Sequence, residues 1–248
     1  MDFFDAHFHA VQCLDRPGCT LEGVSGCSCA LSPSEFEFME DMFRDKAGVR
    51  LSFGIHPLTP DESLIPYLEG LLRDGRISAV GEIGFDFFNA EGRASKAVQE
   101  KVWTSSLDLA RSYGYPVIIH NRKAMDMMYL YSGELSRVPA VMFHSFPFGF
   151  REAKGILDRG INGFFSFGKT LLRGSVRNAE CIRNLPDDRI LFETDAPFQK
   201  LGGEPFTIPT DIASVYDAAS RLKGIETDRL SEKVMKNAAS FFASGPAC

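Results

Sequence analysis

Two histidines separated by one residue stand near the start of the chain, in the segment DAHFHA at residues 5–10. The segment alternates after an apolar pair and contains no helix cap, so it predicts a β-strand. On a strand, residues i and i+2 point to the same face, which places His7 and His9 side by side, with Asp5 deeper on that face. Such a pair suits a metal ion. The alternatives are partly buried imidazoles that bond to the backbone, or the remnant of a purification tag.

All five histidines of the chain close predicted strands, because His56, His120 and His144 end three further apolar runs. Two carboxylates occupy comparable positions, Glu82 within AVGEIG and Asp195 at the end of LFETD. An unpaired carboxylate is costly to bury, so we expect both to be paired or bound to metal.

These histidines and carboxylates define a candidate metal site. The six candidate ligands are His7, His9, Glu82, His120, His144 and Asp195. Imidazoles and carboxylates without a thiolate suit Zn, Mn, Fe, Co or Ni, and also Mg when oxygen and water fill much of the shell. Six ligands exceed the need of one open catalytic ion and suit two ions about 3.5–4 Å apart with a bridging carboxylate. Such a pair activates a shared water, so the set predicts hydrolysis.

Eight short apolar runs supply the elements that must position these residues. The predicted strands are 2–9, 23–31, 49–56, 77–84, 116–120, 140–144, 163–168 and 189–195. Helical patterns separate most of them and follow the eighth, whereas segment 10–22 is predicted to be a loop. Buried strands alternating with helices predict an α/β fold with a parallel sheet. Their number favours a single-domain (β/α)8 TIM barrel over residues 1–248, regular or slightly distorted, with a doubly wound sheet as the alternative.

The composition, with 44% hydrophobic and 24% charged residues, is that of an ordinary globular protein. A net charge of -6 speaks against a protein that coats duplex nucleic acid, although bound cations and local Arg or Lys can still hold a phosphate. The sequence contains neither a membrane-length apolar run nor a secretion signal. We therefore expect a cytoplasmic protein without a membrane partner, whose six cysteines are free thiols.

Six ordered blocks resemble the TatD family of metal-dependent hydrolases, within the amidohydrolase superfamily. They are DAHFHA, GIHP, GEIGFDFF, VIIHNRKA, MFHSF and LFETDAPF, between residues 5 and 198. The resemblance implies a first ion held by His7, His9, Glu82 and Asp195, and a second held by Glu82, His120 and His144. It implies that Glu82 bridges the ions and that Asp195 is the general base on the attacking water. By the same resemblance, His56 faces the substrate and bonds a phosphate or the leaving oxygen.

Members of this family are commonly described as magnesium-dependent deoxyribonucleases that often act from a strand end. The resemblance therefore implies a divalent-metal-dependent phosphodiesterase or deoxyribonuclease with two ions, drawn from Mg, Mn, Zn, Co or Ni. Its substrate would be DNA or another phosphoester, and a monomer is expected. Two segments depart from the family pattern, HSFPFG at 144–149 and GGEPF at 202–206, so the substrate stays open. The alternatives are a small phosphoester, ester, amide or aminoacyl-RNA as substrate, or a metal-binding protein without catalysis.

Other residues on the same predicted rim have supporting roles. Arg122 follows His120 by two residues and is predicted to reach a substrate phosphate, with a rim salt bridge as the alternative, and Lys169 is a further candidate. Asp86 and Glu193 are predicted to support the ligands rather than bind metal. Six phenylalanines are candidates for stacking on bases: Phe85, Phe87, Phe88, Phe146, Phe148 and Phe198.

Overall fold

Eight parallel strands form the sheet in the computed structural model, which describes residues 3–245. The strands are β1 Asp5–Phe8, β2 Gly26–Ala30, β3 Val49–Phe53, β4 Ala79–Asp86, β5 Val117–Arg122, β6 Val141–Phe143, β7 Gly163–Phe167 and β8 Ile190–Phe192. Each strand pairs with the next one along the chain, which confirms the predicted barrel order. Three predicted features reach outside the described residues: the first position of strand 2–9, the thiol of Cys248 and the two ends of the proposed domain.

Helices cover the outside of the sheet. They are α1 Ala10–Leu14, α2 Pro33–Phe43, α3 Ile65–Arg73, α4 Ala90–Ala94, α5 Lys96–Tyr113, α6 Met125–Leu130, α7 Ser132–Leu135, α8 Phe150–Leu157, α9 Val176–Asn184, α10 Ile212–Lys223 and α11 Thr227–Phe242. The predicted loop 10–22 is wrong at its start, because α1 begins directly after His9 and buries Ala10 and Cys13. A helix of five residues is too short for its apolar period to stand out in the sequence.

The barrel closes along a seam between β1 and the segment that follows β8. The Asp195 amide donates to the His7 carbonyl (2.9 Å) and the His9 amide donates to the Ala196 carbonyl (2.8 Å). Below them, the buried Asp5 carboxylate accepts the Thr194 amide (2.9 Å). Burial raises the pKa of Asp5 well above its ordinary value despite these hydrogen bonds. The predicted strand 189–195 is therefore too long, since residues 194–196 are held by the seam and not by regular strand pairing.

Apolar residues fill both sides of the strands, and all eight residues of β4 are buried. On α5, the buried Trp103 packs against Phe85, with ring centroids 5.2 Å apart. The five cysteines within residues 3–245 are free thiols, in agreement with the prediction. Among those residues, no helix is both long and apolar enough to cross a membrane.

Gly84 on β4 is a position where only glycine fits, because its φ is +144° and a Cβ would overlap the carbonyl oxygen of His120 on β5. We expect Gly84→Ala to lower the free energy of unfolding by more than about 3 kcal/mol. Gly75→Ala is the matched control, because Gly75 also has a positive φ (+67°) but an added Cβ would meet nothing within 4 Å. Its expected cost is about 1 kcal/mol. Urea unfolding of both variants measures the difference, and equal losses would contradict the proposed overlap.

Candidate metal centre

A cavity of about 710 Å³ opens at the C-terminal end of the barrel and contains the predicted site. Its floor is formed mainly by buried ligand candidates, so polar groups converge where the strands end. The lining includes His9, His56, Glu82, His120, Arg122, His144, Asp195, Phe198 and Gln199. His7 is fully buried beneath the cavity floor, where its Nε2 lies next to the Glu82 carboxylate. All six predicted ligands are thus brought together.

The first cluster lies on the β1 to β8 seam. The Nε2 atoms of His7 and His9 are 3.2 Å apart, and they lie 3.3 and 3.2 Å from Oε1 of Glu82. Oδ1 of Asp195 completes the group at 3.6 Å from His7 Nε2 and 3.5 Å from His9 Nε2. Four donor atoms therefore surround one point.

The second cluster uses the other oxygen of Glu82. Oε2 lies 3.2 Å from Nδ1 of His120 and 2.7 Å from Nε2 of His144. The two imidazole nitrogens are themselves 3.3 Å apart. A single buried carboxylate thus contributes one oxygen to each cluster, as a bridging ligand would.

The donor sets fit divalent metal ions. Ligands on one ion with bonds of about 2.0–2.2 Å lie roughly 2.8–3.6 Å from one another, close to the separations in both clusters. The Nε2 atom of His7 faces the first cluster. Its other ring nitrogen, Nδ1, is buried and has no hydrogen-bond partner among residues 3–245. The nearby thiol of Cys29 is no competing ligand, because it donates to the Gly81 carbonyl (2.9 Å) and burial keeps its pKa well above the ordinary value.

Charge compensation dominates the electrostatics of the metal-free clusters. Burial opposes the charge of Glu82, but the charges of His144 and His7 outweigh it and hold the pKa of this carboxyl well below its ordinary value. Burial likewise opposes protonation of His9, yet hydrogen bonds and charges from Asp195 and Glu82 raise its pKa to about 10. The pKa of His144 is also raised well above the ordinary value, because Glu82 and Glu193 outweigh the effect of burial.

His56 lies in the loop after β3 and not at the strand end that the sequence predicts. Its Nδ1 accepts the Leu58 amide (3.1 Å), and its Nε2 lies 3.3 Å from His120 Nδ1 and 3.7 Å from Glu82 Oε2. Burial lowers the pKa of His56 to about 3, so the ring is neutral. With Nδ1 as the acceptor, Nε2 carries the hydrogen. His56 is therefore a hydrogen-bond donor at the edge of the second cluster.

Two carboxylates orient the imidazoles of the second cluster. Asp86 Oδ2 lies 3.0 Å from Nε2 of His120 and leaves Nδ1 to face Glu82. Glu193 Oε1 is 3.7 Å from Nδ1 of His144, which is an ion-pair distance and longer than a hydrogen bond, and the Glu193 side chain is fully buried. Carboxylates in this position set the tautomer and orientation of metal-binding histidines. The supporting roles of Asp86 and Glu193 stay predictions.

The two remaining rim candidates, Arg122 and Lys169, differ in their exposure to solvent. Arg122 is half exposed, and its guanidinium lies 4.0 Å above the Phe88 ring and 3.6 Å from Asp86 Oδ2. Lys169 is buried, and its Nζ pairs with Glu204 and Asp211 at 2.6 Å each, so it does not face a substrate.

No sequence pattern indicated Gln199, a cavity residue that follows Asp195 by four positions. Its amide contacts Asp195 of the first cluster and Glu193, the carboxylate beside His144.

Metal binding to these clusters is expected to release protons. Because the pKa of His9 is about 10 in the metal-free protein, an ion that binds Nε2 at pH 8 displaces a proton, and affinity rises with pH up to that value. Calorimetric titration with Mn²⁺ in buffers of different ionisation enthalpy counts the released protons. His9→Gln should release about one proton fewer per chain. Uptake of Mn²⁺ without proton release would contradict the assignment of His9.

Known proteins with related sequences and structures agree with this geometry. The sequence model of the family described as TatD related DNase matches residues 4–243. The chain is 25% identical over 211 residues to the uncharacterized metal-dependent hydrolase YabD of Bacillus subtilis, covering 82% of this chain and 80% of that protein. It is 34% identical over 150 residues to the 3'-5' ssDNA/RNA exonuclease TatD of Edwardsiella piscicida, covering 58% and 56%. The solved structure of YjjV, a TatD homolog from Escherichia coli K12, has a TM-score of 0.84 at 22% identity over 98% of each chain, which supports the barrel fold. Because the family match spans nearly the whole chain, the protein belongs to the TatD-related DNase family.

Proposed function

We propose that this protein is a metal-dependent phosphodiesterase that hydrolyses DNA from a strand end. The observation that carries the proposal is the position of Glu82, whose two oxygens lie in two adjacent clusters of nitrogen and oxygen donors. The names of the relatives support the same chemistry, since one is a metal-dependent hydrolase and another is a 3'-5' exonuclease on single-stranded DNA and RNA.

Two divalent ions are the proposed cofactors, drawn from Mg, Mn, Zn, Co or Ni. His7, His9, Glu82 and Asp195 would hold the first, and Glu82, His120 and His144 the second. When bound, such ions supply a nucleophilic water near neutral pH and neutralise charge on the attacking and leaving oxygens. Asp86 and Glu193 would keep His120 and His144 in the tautomers that present a lone pair to the site.

Asp195 is the proposed general base. Its Oδ1 faces the first cluster, whereas the carboxylate also lines the cavity, so Oδ2 can take a proton from a water that attacks the phosphorus. Hydrogen bonding and charge from the surrounding histidines outweigh burial and lower the pKa of Asp195, so the carboxylate is ionised and ready to accept. His56, neutral and with hydrogen on Nε2, would donate to a phosphate or leaving oxygen.

Three rim residues provide contacts suited to a nucleotide. Arg122 is held on the Phe88 ring with part of its guanidinium exposed, so it can donate to a phosphate oxygen at the cavity edge. Phe198 lines the cavity and is 43% exposed, which leaves ring surface available for stacking on a base. Phe88 contributes by holding Arg122, because its ring already carries Arg122 and Lys123. Phe85 and Phe146, also candidates from the sequence, are buried in the core and cannot stack on a substrate.

The depth of the site favours a strand end over a continuous duplex. The side chains of Glu82 and Asp195 are only 2% and 13% exposed, so the scissile phosphodiester must enter the cavity. A duplex is stiff over about 150 base pairs and does not bend into such a cavity, whereas a single strand does. A single domain, a monomeric state and a cytoplasmic location remain predictions.

Asp195→Asn should lower kcat on end-labelled single-stranded DNA by about 10² to 10⁴-fold, because the amide cannot accept the proton from water. Metal content per chain, measured by mass spectrometry, should show that the variant still binds ions. Asp158→Asn is the matched control, because Asp158 pairs with Lys154 on the surface and should retain full activity. Wild-type turnover by Asp195→Asn would contradict the proposed base.

Substrate class is tested by refilling metal-stripped protein separately with each of the five ions and following DNA trimming at increasing salt. Phosphate contacts make cleavage of DNA weaken with salt, and Arg122→Ala should raise KM and reduce the salt slope by about one. No DNA cleavage with any ion, together with hydrolysis of a small phosphoester such as bis(4-nitrophenyl) phosphate, would keep the hydrolase site and reject DNA as substrate.

A further inference from the structure

Gln199 is a cavity residue whose single side-chain amide contacts polar groups on both sides of the metal centre. It lies in the loop after β8, with a left-handed φ of +52°, and turns its side chain back towards the barrel axis. Its Nε2 is 2.7 Å from Ser145 Oγ, 3.3 Å from Glu193 Oε1 and 3.3 Å from Asp195 Oδ2. These partners come from the loop after β6 and the segment after β8.

The amide can take only one orientation in this position. Carboxylate oxygens accept hydrogen bonds, so the nitrogen and not the oxygen of Gln199 faces Asp195 Oδ2 and Glu193 Oε1. The other end of the amide, Oε1, is buried without a hydrogen-bond partner among residues 3–245. It lies over Gly168, at a point only 2.7 Å from where a Cβ of residue 168 would be. The absence of a side chain at Gly168 therefore makes room for the amide.

The contact with Gln199 gives the two oxygens of Asp195 different partners. Oδ1 points to the imidazoles of His7 and His9, and Oδ2 is held by the Gln199 amide at the cavity side. Without that donor, the carboxylate is free to rotate about its terminal bond, and the two oxygens lose their separate directions.

The same amide also contacts Glu193, the carboxylate beside His144 of the second cluster. Glu193 Oε1, which accepts from Gln199, is the atom that faces Nδ1 of His144 at 3.7 Å. Glu193 Oε2 has no hydrogen-bond partner within the described chain, so the hydrogen bond from Gln199 to Oε1 is the one that this buried carboxylate receives there. One side chain thus orients groups of both clusters.

We propose that Gln199 is a positioning residue for hydrolysis, and that it acts by holding Asp195 Oδ2 towards the attacking water and Glu193 against His144. Gly168 is part of the same arrangement, because its missing side chain admits Gln199 Oε1. The inference rests on the proposed function of Asp195 as general base. Gln199 itself need not touch the substrate.

Gln199→Met tests the donor directly, because methionine keeps the length and packing of the side chain and removes the amide. We expect kcat on end-labelled single-stranded DNA to fall by about 10 to 100-fold, with KM within about twofold of wild type. Mn²⁺ bound per chain, measured by mass spectrometry, should equal the wild-type value, and so should the melting temperature. A role in packing alone would leave kcat unchanged in this variant.

Gly168→Ala tests the same arrangement without altering Gln199. The φ of Gly168 is -109°, which alanine adopts without strain, so the added methyl acts mainly on the amide. We expect a similar fall in kcat, and the double variant should lose no more than Gln199→Met alone, because both changes remove one interaction. Multiplied losses in the double variant would overturn the link between the two residues.

Asp195→Asn run in parallel separates failure of this inference from failure of the proposed function. If Asp195→Asn is inactive while Gln199→Met and Gly168→Ala turn over like wild type, Gln199 does not position the base and the proposed function stands. If Asp195→Asn itself has wild-type activity, the proposed function and this inference both fail.

Discussion

The buried carboxylate of Glu82 is the group on which the arrangement of the site depends. A charge in the middle of β4, where every side chain is buried, is costly unless opposite charge surrounds it. Histidines from β1, β5 and the segments after β1 and β6 meet this requirement together. The same convergence that compensates Glu82 in the metal-free protein creates two groups of donor atoms at ligand spacing. Compensation of the buried charge and a geometry suited to metal ions are thus two consequences of one arrangement.

The seam that closes the barrel also forms half of the site. Backbone hydrogen bonds between His7, His9, Asp195 and Ala196 hold the first and last strands together, and the side chains of His7, His9 and Asp195 form the first cluster. Asp5 ties Thr194 to β1 just below. Because the ligands share their backbone with the closure, the precision of the cluster depends on an intact barrel. This coupling places the site on rigid elements, as catalysis by positioned groups requires.

The residues of the outer part of the cavity are more exposed than those at its floor. Arg122 is the last residue of β5, and Phe88 and Phe198 lie on loops. All three are partly exposed, so packing constrains them less than it constrains the buried groups at the floor. The segments that depart from the family pattern are also here: Ser145, from HSFPFG, contacts Gln199, and Glu204, from GGEPF, pairs with Lys169. The groups proposed for chemistry lie at the floor, and those proposed for substrate contact lie at the rim. In such an arrangement the rim can change while the floor stays the same, so that one barrel fold can serve several reactions.

The sequence alone determined the barrel and brought out the candidate ligands. Apolar runs of strand length alternate with helices, and histidines recur at the ends of those runs, so periodicity is enough to place them on one face of the fold. Only the tertiary structure decided the finer details, because they depend on contacts between residues far apart in the chain. The pairing of Lys169 with Asp211, the hydrogen-bond donor role of His56, the burial of Phe85 and the reach of Gln199 all arise from packing, which no local pattern encodes.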